Sequence, residues 1–340
     1  MSKTVLIIGG GVAGLEASGV LSKLGYTITI VEASDRIGGK LNRWANLFPT
    51  QRPAEEVLNY LKFQLDPNTS IITNTKIDDI SLGKTQVSAT LSNGNCIQAD
   101  AVLVSTGFEF FDARKKEEYG YKIYENVITS VDLEQIFKDG KELKTSQGKT
   151  PKRIGIIHCV GSRDEKVGNT YCSKVCCVTG VKQAIEIKER IPSCEVFNFY
   201  MDLRMFDRHF EDIYKKAQVE HHVQFIRGRL SEAFENPDGS VMIKVEDTLL
   251  GKPMKMNLDL VVLMVGFVPS SSSVFLKKGL QLETGNDGFF TPADEHYKTV
   301  CSNQKGVFFA GACTGPKTIE NTITEARAAA LEIATYLNQN

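Results

Sequence analysis

The apolar positions of this chain fall into short β-branched runs separated by stretches of helical spacing, the alternation expected of parallel strands flanked by helices. Thr4 to Ile8 is one such run, Val12 to Leu24 has helical spacing, and a second run, Thr27 to Val31, ends in Glu32. Pro53 suits the first turn of a helix carried by AEEVLNYLKF. A polar hairpin around VSATLSNGNCIQAD turns at Asn93-Gly94, and Ala101 to Ser105 is another strand, ending in Thr106-Gly107. Residues 112 to 150 are rich in Lys, Glu and Gly and read as a crossing linker with one short helix, VDLEQIFKDG. A second alternation starts at Arg153: strand RIGIIHCVG, helix VTGVKQAIEIKERI, strand EVFNFY, helix DRHFEDIYKKA and strand VQFIRG. A hairpin turning at Asn236-Pro237-Asp238-Gly239 and the strand LVVLMVG follow. Finally GVFFAGACTGPKTIENTITEARAAALEIATYL reads as strand, Gly-rich turn and Ala-rich helix. The expected architecture is α/β with two domains, residues 1–112 with 285–340 and residues 113–284.

The turn after the first strand carries candidate chemistry. Gly9, Gly11 and Gly14 stand in G-x-G-x-x-G order. Gly9 allows the tight turn, Gly11 lets the backbone approach a pyrophosphate, and Gly14 permits helix to pack closely on strand. The helix N-terminus faces the phosphates, and Glu32, 18 residues beyond Gly14, suits an adenosine ribose. Strand, turn, helix, strand and acid in sequence predict a dinucleotide site.

A second signal lies in HCVGSRDEKVGNTYCSKVCC. Cys159, Cys172, Cys176 and Cys177, half of the eight cysteines, fall within 19 residues. Adjacent cysteines do not easily bond to each other, since the disulfide geometry is strained. Four thiolates on one loop suit an iron–sulfur cluster, or zinc as the alternative. The spacing matches neither the common ferredoxin run nor paired CxxC zinc motifs. Where a second glycine turn would follow strand RIGIIH, the chain has Cys159 and Gly161 instead, so a nicotinamide site is expected to be lost there.

At 340 residues the chain can bury a sizeable core. Its formal net charge of −1 indicates no nucleic-acid or anionic-membrane surface. No apolar stretch approaches the ~18 residues of a membrane span. Lys3 precedes an apolar run that breaks at Gly9, unlike a secretion signal, and clustered free thiols then suggest a reducing cytoplasm.

The first-turn motif, the glycine pair Gly38-Gly39, Thr106-Gly107 and the C-terminal strand–turn–helix together resemble the FAD domain of the glutathione and thioredoxin reductase superfamily. That resemblance implies two Rossmann-like domains, FAD on the first, and contacts from Val12, Ala13, Lys40, Leu41, Ile77, Gly311, Ala312, Thr318 and Ile319. One departure is Ala312, where that superfamily usually has an acid after the glycine. Cys-Val-Gly-Ser-Arg-Asp, the spacing to Tyr-Cys-Ser-Lys-Val-Cys-Cys, Asp202-Leu203-Arg204 and Phe225-Ile226-Arg227-Gly228-Arg229 narrow the resemblance to the A subunits of heterodisulfide reductases. It implies a [4Fe–4S] cluster on the four cysteines. It also implies iron–sulfur partner subunits, a homodimer, and a flavin-tuning ammonium at Lys182. Lacking ferredoxin-type inserts, the chain resembles the short form of the sulfur-oxidising heterodisulfide reductase-like complex. The flavin subunit of a quinone-interacting membrane-bound oxidoreductase of sulfate reducers is the nearest competitor.

Blander readings stand beside these. Cys96, Cys194, Cys301 and Cys313 suit buried small hydrophobes, with a redox role open for Cys313 beside the flavin turn. His158 is expected on the strand face opposite Cys159, and Arg204 and Arg227 as salt-bridge partners. Lys188, Glu186 and Glu189 belong to the solvated face of their helix, and Lys182 suits that face equally. Two rival functions remain: a free-standing pyridine-nucleotide–disulfide reductase using Cys176 and Cys177, and a scaffold with structural FAD.

Overall fold

The computed structural model describes residues 3–339. They form two compact units. One comprises the chain up to Asn42, Ala54–Glu109 and everything from Val268 onward; the other comprises Arg43–Pro53 and Phe110–Phe267.

The first unit is built on a parallel sheet in the order Val307–Phe309, Ala101–Val104, Thr4–Ile8, Thr27–Val31, Ser70–Ile72. The β-branched runs form its centre because strands buried on both faces need continuous apolar sequence. Helices Val12–Lys23 and Ile319–Gln339 pack together on it. Between them Glu16, 1% exposed, accepts from Arg327 Nε at 2.6 Å and from Gln64 Nε2 at 3.0 Å. A three-stranded antiparallel sheet, Ile77–Leu82, Val87–Leu91 and Cys96–Ala99, forms the expected hairpin plus one more strand. Cys96, expected to be buried, is exposed on it.

The return to this unit comes at Val268 and not near residue 285. Helix Ser272–Gly279 packs on strand Ile77–Leu82, and Leu276, Leu280 and Leu282 bury with Ile80, Val87 and Leu91. These leucines fix the boundary, since they have their apolar partners only there.

The second unit has a parallel sheet in the order Val127–Thr129, Leu260–Val265, Arg153–Val160, Glu195–Tyr200, Gln224–Arg227. Residues 112 to 150 are therefore more than a linker. They supply its edge strand and helix Ser130–Lys138, started by a capping box in which Thr129 and Asp132 bond each other's backbone N–H groups. Three residues of strand are too short for periodicity to show. The later hairpin gains a third strand, Lys252–Leu258. Among the described residues no helix is long and apolar enough to cross a membrane.

The helix–strand crossing in the first unit is tight enough to test. A Cβ at Gly14 would fall inside van der Waals contact of the Gly9 carbonyl oxygen. Gly14→Ala should cost about 3 kcal/mol, read as a lowered urea midpoint. An unchanged midpoint would show the crossing to be looser than described.

Candidate functional site

In the first unit, the helix after the glycine turn begins with an open N-terminus. Its N-cap is Gly11, with no side-chain cap and no acid in the first turn, so its leading N–H groups are left for an anion. A Cβ at Gly11 would meet nothing nearer than Gly39 Cα at 4.0 Å, which leaves room in front of the turn. Gly38 N donates to Gly10 O at 2.7 Å, so the second glycine pair closes over the first.

Glu32 sits at the end of its strand with much of its capacity used. Oε2 accepts from Gly10 N at 2.7 Å, and Oε1 from Ser34 N at 2.8 Å and Ser34 Oγ at 2.7 Å. Of about four carboxylate acceptor positions, one on Oε2 stays open for a ribose hydroxyl. Beside it is a cavity of about 420 Å³, lined among others by Gly9, Glu32, Ile77 and Thr106. Thr106 Oγ1 is buried without a hydrogen-bond partner, an atom a bound polar group would satisfy. These features fit the adenosine and phosphate end of a dinucleotide. Lys76, Glu109, Ser271 and Phe275 line the same cavity and carry no motif that sequence could read. Glu109 Oε1 accepts from Ser271 N at 2.8 Å, which holds the two late-joining walls together.

The remaining expected positions are spread over other segments of this unit. Lys40 and Leu41 lie in the short helix Gly39–Arg43, with Lys40 Nζ 4.9 Å from the centroid of the Phe108 ring. Gly107 follows Thr106 with φ 67°. Val12 and Ala13 open the first helix, and Ile319 opens the last. Thr318 Oγ1 accepts from Asn321 N at 3.2 Å, capping that helix. At the turn before Ala312, Glu325 Oε2 from the last helix accepts from Gly311 N at 3.0 Å. Cys313 is a packed thiol: it donates to Val104 O at 3.2 Å and burial pushes its pKa up to about 12, which opposes the redox role left open for it.

In the second unit, strand Arg153–Val160 breaks at its end. Cys159 has φ 59°, and the pairing with Leu260–Val265 shifts register between Ile157 and Val160. This break cancels the alternation expected for His158. Its ring is buried, with Nε2 2.8 Å from Asn198 Oδ1, and it also meets Cys177. Helix Cys176–Arg190 starts at the paired cysteines with no side-chain cap and no acid in its first turn.

Cys159, Cys176 and Cys177 are buried and influence one another's titration. Its two thiol neighbours, together with burial, raise the pKa of Cys176 well above the ordinary thiol value. The neighbouring Cys176 lowers Cys159 to about 7, and Cys176 together with His158 lowers Cys177 to about 4. Against burial, contact with Cys177 raises the pKa of His158. Cys172 Sγ accepts instead from Lys174 N at 3.3 Å. Among the described residues no group of three or more His, Cys, Asp or Glu forms a set able to hold a metal ion. The donor chemistry suits a soft cation all the same: buried sulfurs, two of them favouring thiolate, at a helix N-terminus.

The loop from Cys159 to Cys172 is held by a buried carboxylate. Asp164 Oδ2 pairs with Lys116 Nζ and Arg229 Nη2, each at 2.9 Å, and the Asp164 and Asn169 backbones bond each other. Gly161, with φ 73°, has the Phe111 ring where a Cβ would be. Gly161 is therefore held by close packing under an aromatic ring, and no second glycine turn follows the strand.

Lys182 is buried, 2% exposed, as is Glu186, and neither is on a solvated face. The Lys182 ammonium pairs with Glu134 and with Glu186 Oε2 at 3.2 Å and donates to Asn46 O at 3.0 Å. Its three donors are engaged inside the second unit, so its bonds do not show an ammonium aimed at a flavin. The helix has no solvated face there because helix Ser130–Lys138 and the Arg43–Pro53 segment cover it.

The family model for pyridine nucleotide-disulphide oxidoreductases matches residues 1–139 and 172–330. The chain belongs to that family. Its curated relatives along the full length are the A subunits of heterodisulfide reductases. In Methanococcus maripaludis, the A subunit of the H(2)/formate:CoB-CoM heterodisulfide,ferredoxin reductase is 32% identical over 426 aligned positions, covering 100% of this chain and 65% of that protein. In Methanothermobacter marburgensis, the A subunit of the H(2):CoB-CoM heterodisulfide,ferredoxin reductase is 42% identical over 243 residues, covering 70% of this chain and 37% of that protein. The chain thus spans less than two thirds of the length of these relatives. Among solved structures, thioredoxin reductase of T. acidophilum superposes with a TM-score of 0.69 at 17% identity, covering 99% of both chains. That of Lactococcus lactis gives 0.69 at 15% identity over 100% of both. These two establish the fold, two Rossmann-like domains of the thioredoxin reductase type.

Asp164 gives the cysteine loop a test of its own. Asp164→Asn removes one of two carboxylate partners of Lys116, leaving Glu118 Oε1 at 2.7 Å, and should cost about 1–2 kcal/mol near neutral pH. Although burial raises it, the bond from Lys116 and the charges of Lys116 and Arg229 hold the Asp164 carboxyl below its usual range. A depressed folded-state value means its contribution is present above the ordinary aspartate pKa and fades as pH falls through the lowered one. Urea titrations of wild type should therefore show an acid decline that flattens in the variant; identical curves would mean that Asp164 does not anchor the loop.

Proposed function

We propose that the chain is the FAD-binding and [4Fe–4S]-binding electron-transfer subunit of a heterodisulfide reductase-like complex. Bound FAD supplies two-electron chemistry that can be divided, and the cluster supplies one-electron steps. The observation that carries the reading is the joint burial of Cys159, Cys176 and Cys177 after a strand that no glycine turn follows.

The chain's residues have separate tasks in this reading. Gly9, Gly11 and Gly14 with the open helix end bind the pyrophosphate, and the free position on Glu32 with Thr106 Oγ1 orients the adenosine ribose. Gly38, Gly39, Lys40, Leu41 and Gly107, with Gly311, Ala312, Thr318 and Ile319, line the path of the remaining cofactor. Cys159, Cys172, Cys176 and Cys177 ligate iron, with Cys172 swinging from its bond to Lys174 N. The Arg163 charge helps hold the Cys159 pKa down, which favours its thiolate.

The partners in this reading are iron–sulfur subunits that hold the substrate site, with two copies of this chain per complex and assembly in the cytoplasm. A sulfur-oxidising role is supported by the comparison itself: 426 aligned positions face only 340 residues here, so relatives carry internal segments with no counterpart in this chain. The flavin subunit of a quinone-interacting complex shares these features and is separated by its electron acceptor.

A free-standing disulfide reductase draws support from the adjacent Cys176 and Cys177, which influence each other's titration. Against it, no glycine turn follows strand Arg153–Val160, where Cys159 and a tightly packed Gly161 stand instead. Neither NADH nor NADPH should therefore reduce the flavin of anaerobically purified protein; bleaching within milliseconds in stopped flow would restore that reading. Iron and flavin analysis of the same protein should give one FAD and about four irons per chain. Cys176→Ala should lose most of the iron and keep the flavin, whereas stoichiometric zinc without iron would overturn the cluster assignment.

A further inference from the structure

Beside the cysteine loop lies a buried polar pair that is only half satisfied. His158, on the strand that leads into Cys159, is 7% exposed, and Asn198, on the neighbouring strand Glu195–Tyr200, is 0% exposed. His158 Nε2 lies 2.8 Å from Asn198 Oδ1. His158 Nδ1 and Asn198 Nδ2 are both buried without a hydrogen-bond partner. Buried polar atoms are seldom left unbonded, so two in one pair call for an explanation.

The ring is held against the helix that starts at the paired cysteines. A Cβ on Gly180 would fall 2.6 Å from His158 Cε1 and 2.7 Å from Nε2, so glycine there lets the imidazole lie on the helix. Gly180 is three residues beyond Cys177 and four beyond Cys176, spacings that share one helix face. His158 therefore lies on the face of both cysteines, and the ring and the Cys177 thiol each favour the other's charged form. Cys177 Sγ also lies 3.7 Å from the Asp202 carbonyl oxygen, an acceptor for the thiol proton. Ligation of a metal removes that proton, and the sulfur then needs donors instead. The Arg204 backbone N–H is one of them.

We propose that His158 is the side-chain hydrogen-bond donor to the Cys177 sulfur, a positioning residue that tunes the iron–sulfur cluster without ligating it. The inference rests on the reading of the four cysteines as cluster ligands. Turning the Asn198 amide end for end brings Nδ2 to Nε2 and holds the ring proton on Nδ1. A bond from Nδ1 to sulfur then satisfies both nitrogens and leaves one amide oxygen unbonded in their place. Hydrogen bonds to the sulfurs of a cluster favour its reduced, more negative state and raise its potential.

The test uses anaerobic holoprotein with isotopically labelled histidine. Pulsed EPR of the reduced cluster should show one weak coupling to a histidine nitrogen, lost in His158→Gln. In a redox titration, His158→Leu should lower the reduced-to-oxidised ratio at fixed poise about tenfold, or ~59 mV for one electron. His158→Gln keeps an N–H donor and should recover about half of that shift. Wild type without the coupling overturns the bond, whatever the variants do. A coupling as large as that of a direct iron–nitrogen bond overturns it in favour of ligation. A potential unmoved in His158→Leu overturns the tuning, and equal losses in the two variants assign the ring to packing and overturn the donor. Stoichiometric zinc without iron removes the cluster reading. In that protein Nδ1 protonation of the ring, read by nitrogen NMR, still supports the bond to Cys177, and a ring protonated only at Nε2 overturns it.

Discussion

The second unit turns on the left-handed conformation of Cys159 at the end of its strand. A non-glycine residue there is strained and persists only where its surroundings hold it. What holds it is visible: His158 is locked between Asn198 and the helix, packing against Gly180, and the next residue, Val160, still pairs with Val265. Because the strand bulges at Cys159, that residue and His158 both lie toward the start of helix Cys176–Arg190 instead of on opposite faces of the sheet. The mutual influence of the three thiols, the lowered pKa of Cys177 and the proximity of His158 to it all follow from that bulge.

The two units use the same strand–turn–helix plan to opposite ends. In the first, the turn is made of glycines, and the helix end is left open to a ligand the chain does not itself contain. In the second, a left-handed cysteine and a tightly packed Gly161 follow the corresponding strand, and two more cysteines start the helix. Burying those groups shields the thiols from water.

Much of this was legible in the sequence, for reasons that differ by residue. The G-x-G-x-x-G turn and its strands were readable because local geometry dictates local sequence. The crowding of Cys159, Cys176 and Cys177 was suggested by their spacing, whereas the position of Cys172, bonded to Lys174 N, was not. The edge strand Val127–Thr129 was hidden by its shortness, and the Val268 crossing by the fact that Leu276 and Leu280 find their partners some 190 residues earlier in the chain. The burial of Lys182 and Glu186 was invisible because a helix wheel shows polarity and not what covers it; Glu134 and Asn46 come from separate segments. Glu325, reaching back 14 residues to accept from Gly311 N, shows the same limit.

The division of the chain has a consequence for biosynthesis. The parallel sheet of the second unit is complete at Val265, whereas the first unit waits for strand Val307–Phe309 and the helix that packs on Val12–Lys23. As the polypeptide leaves the ribosome, the cysteine loop is therefore enclosed in a finished sheet while the opening strands of the chain still lack their last neighbours. Domains mature as units during synthesis, so the thiol site reaches its final shape before the glycine turn does, although the glycine turn is made first.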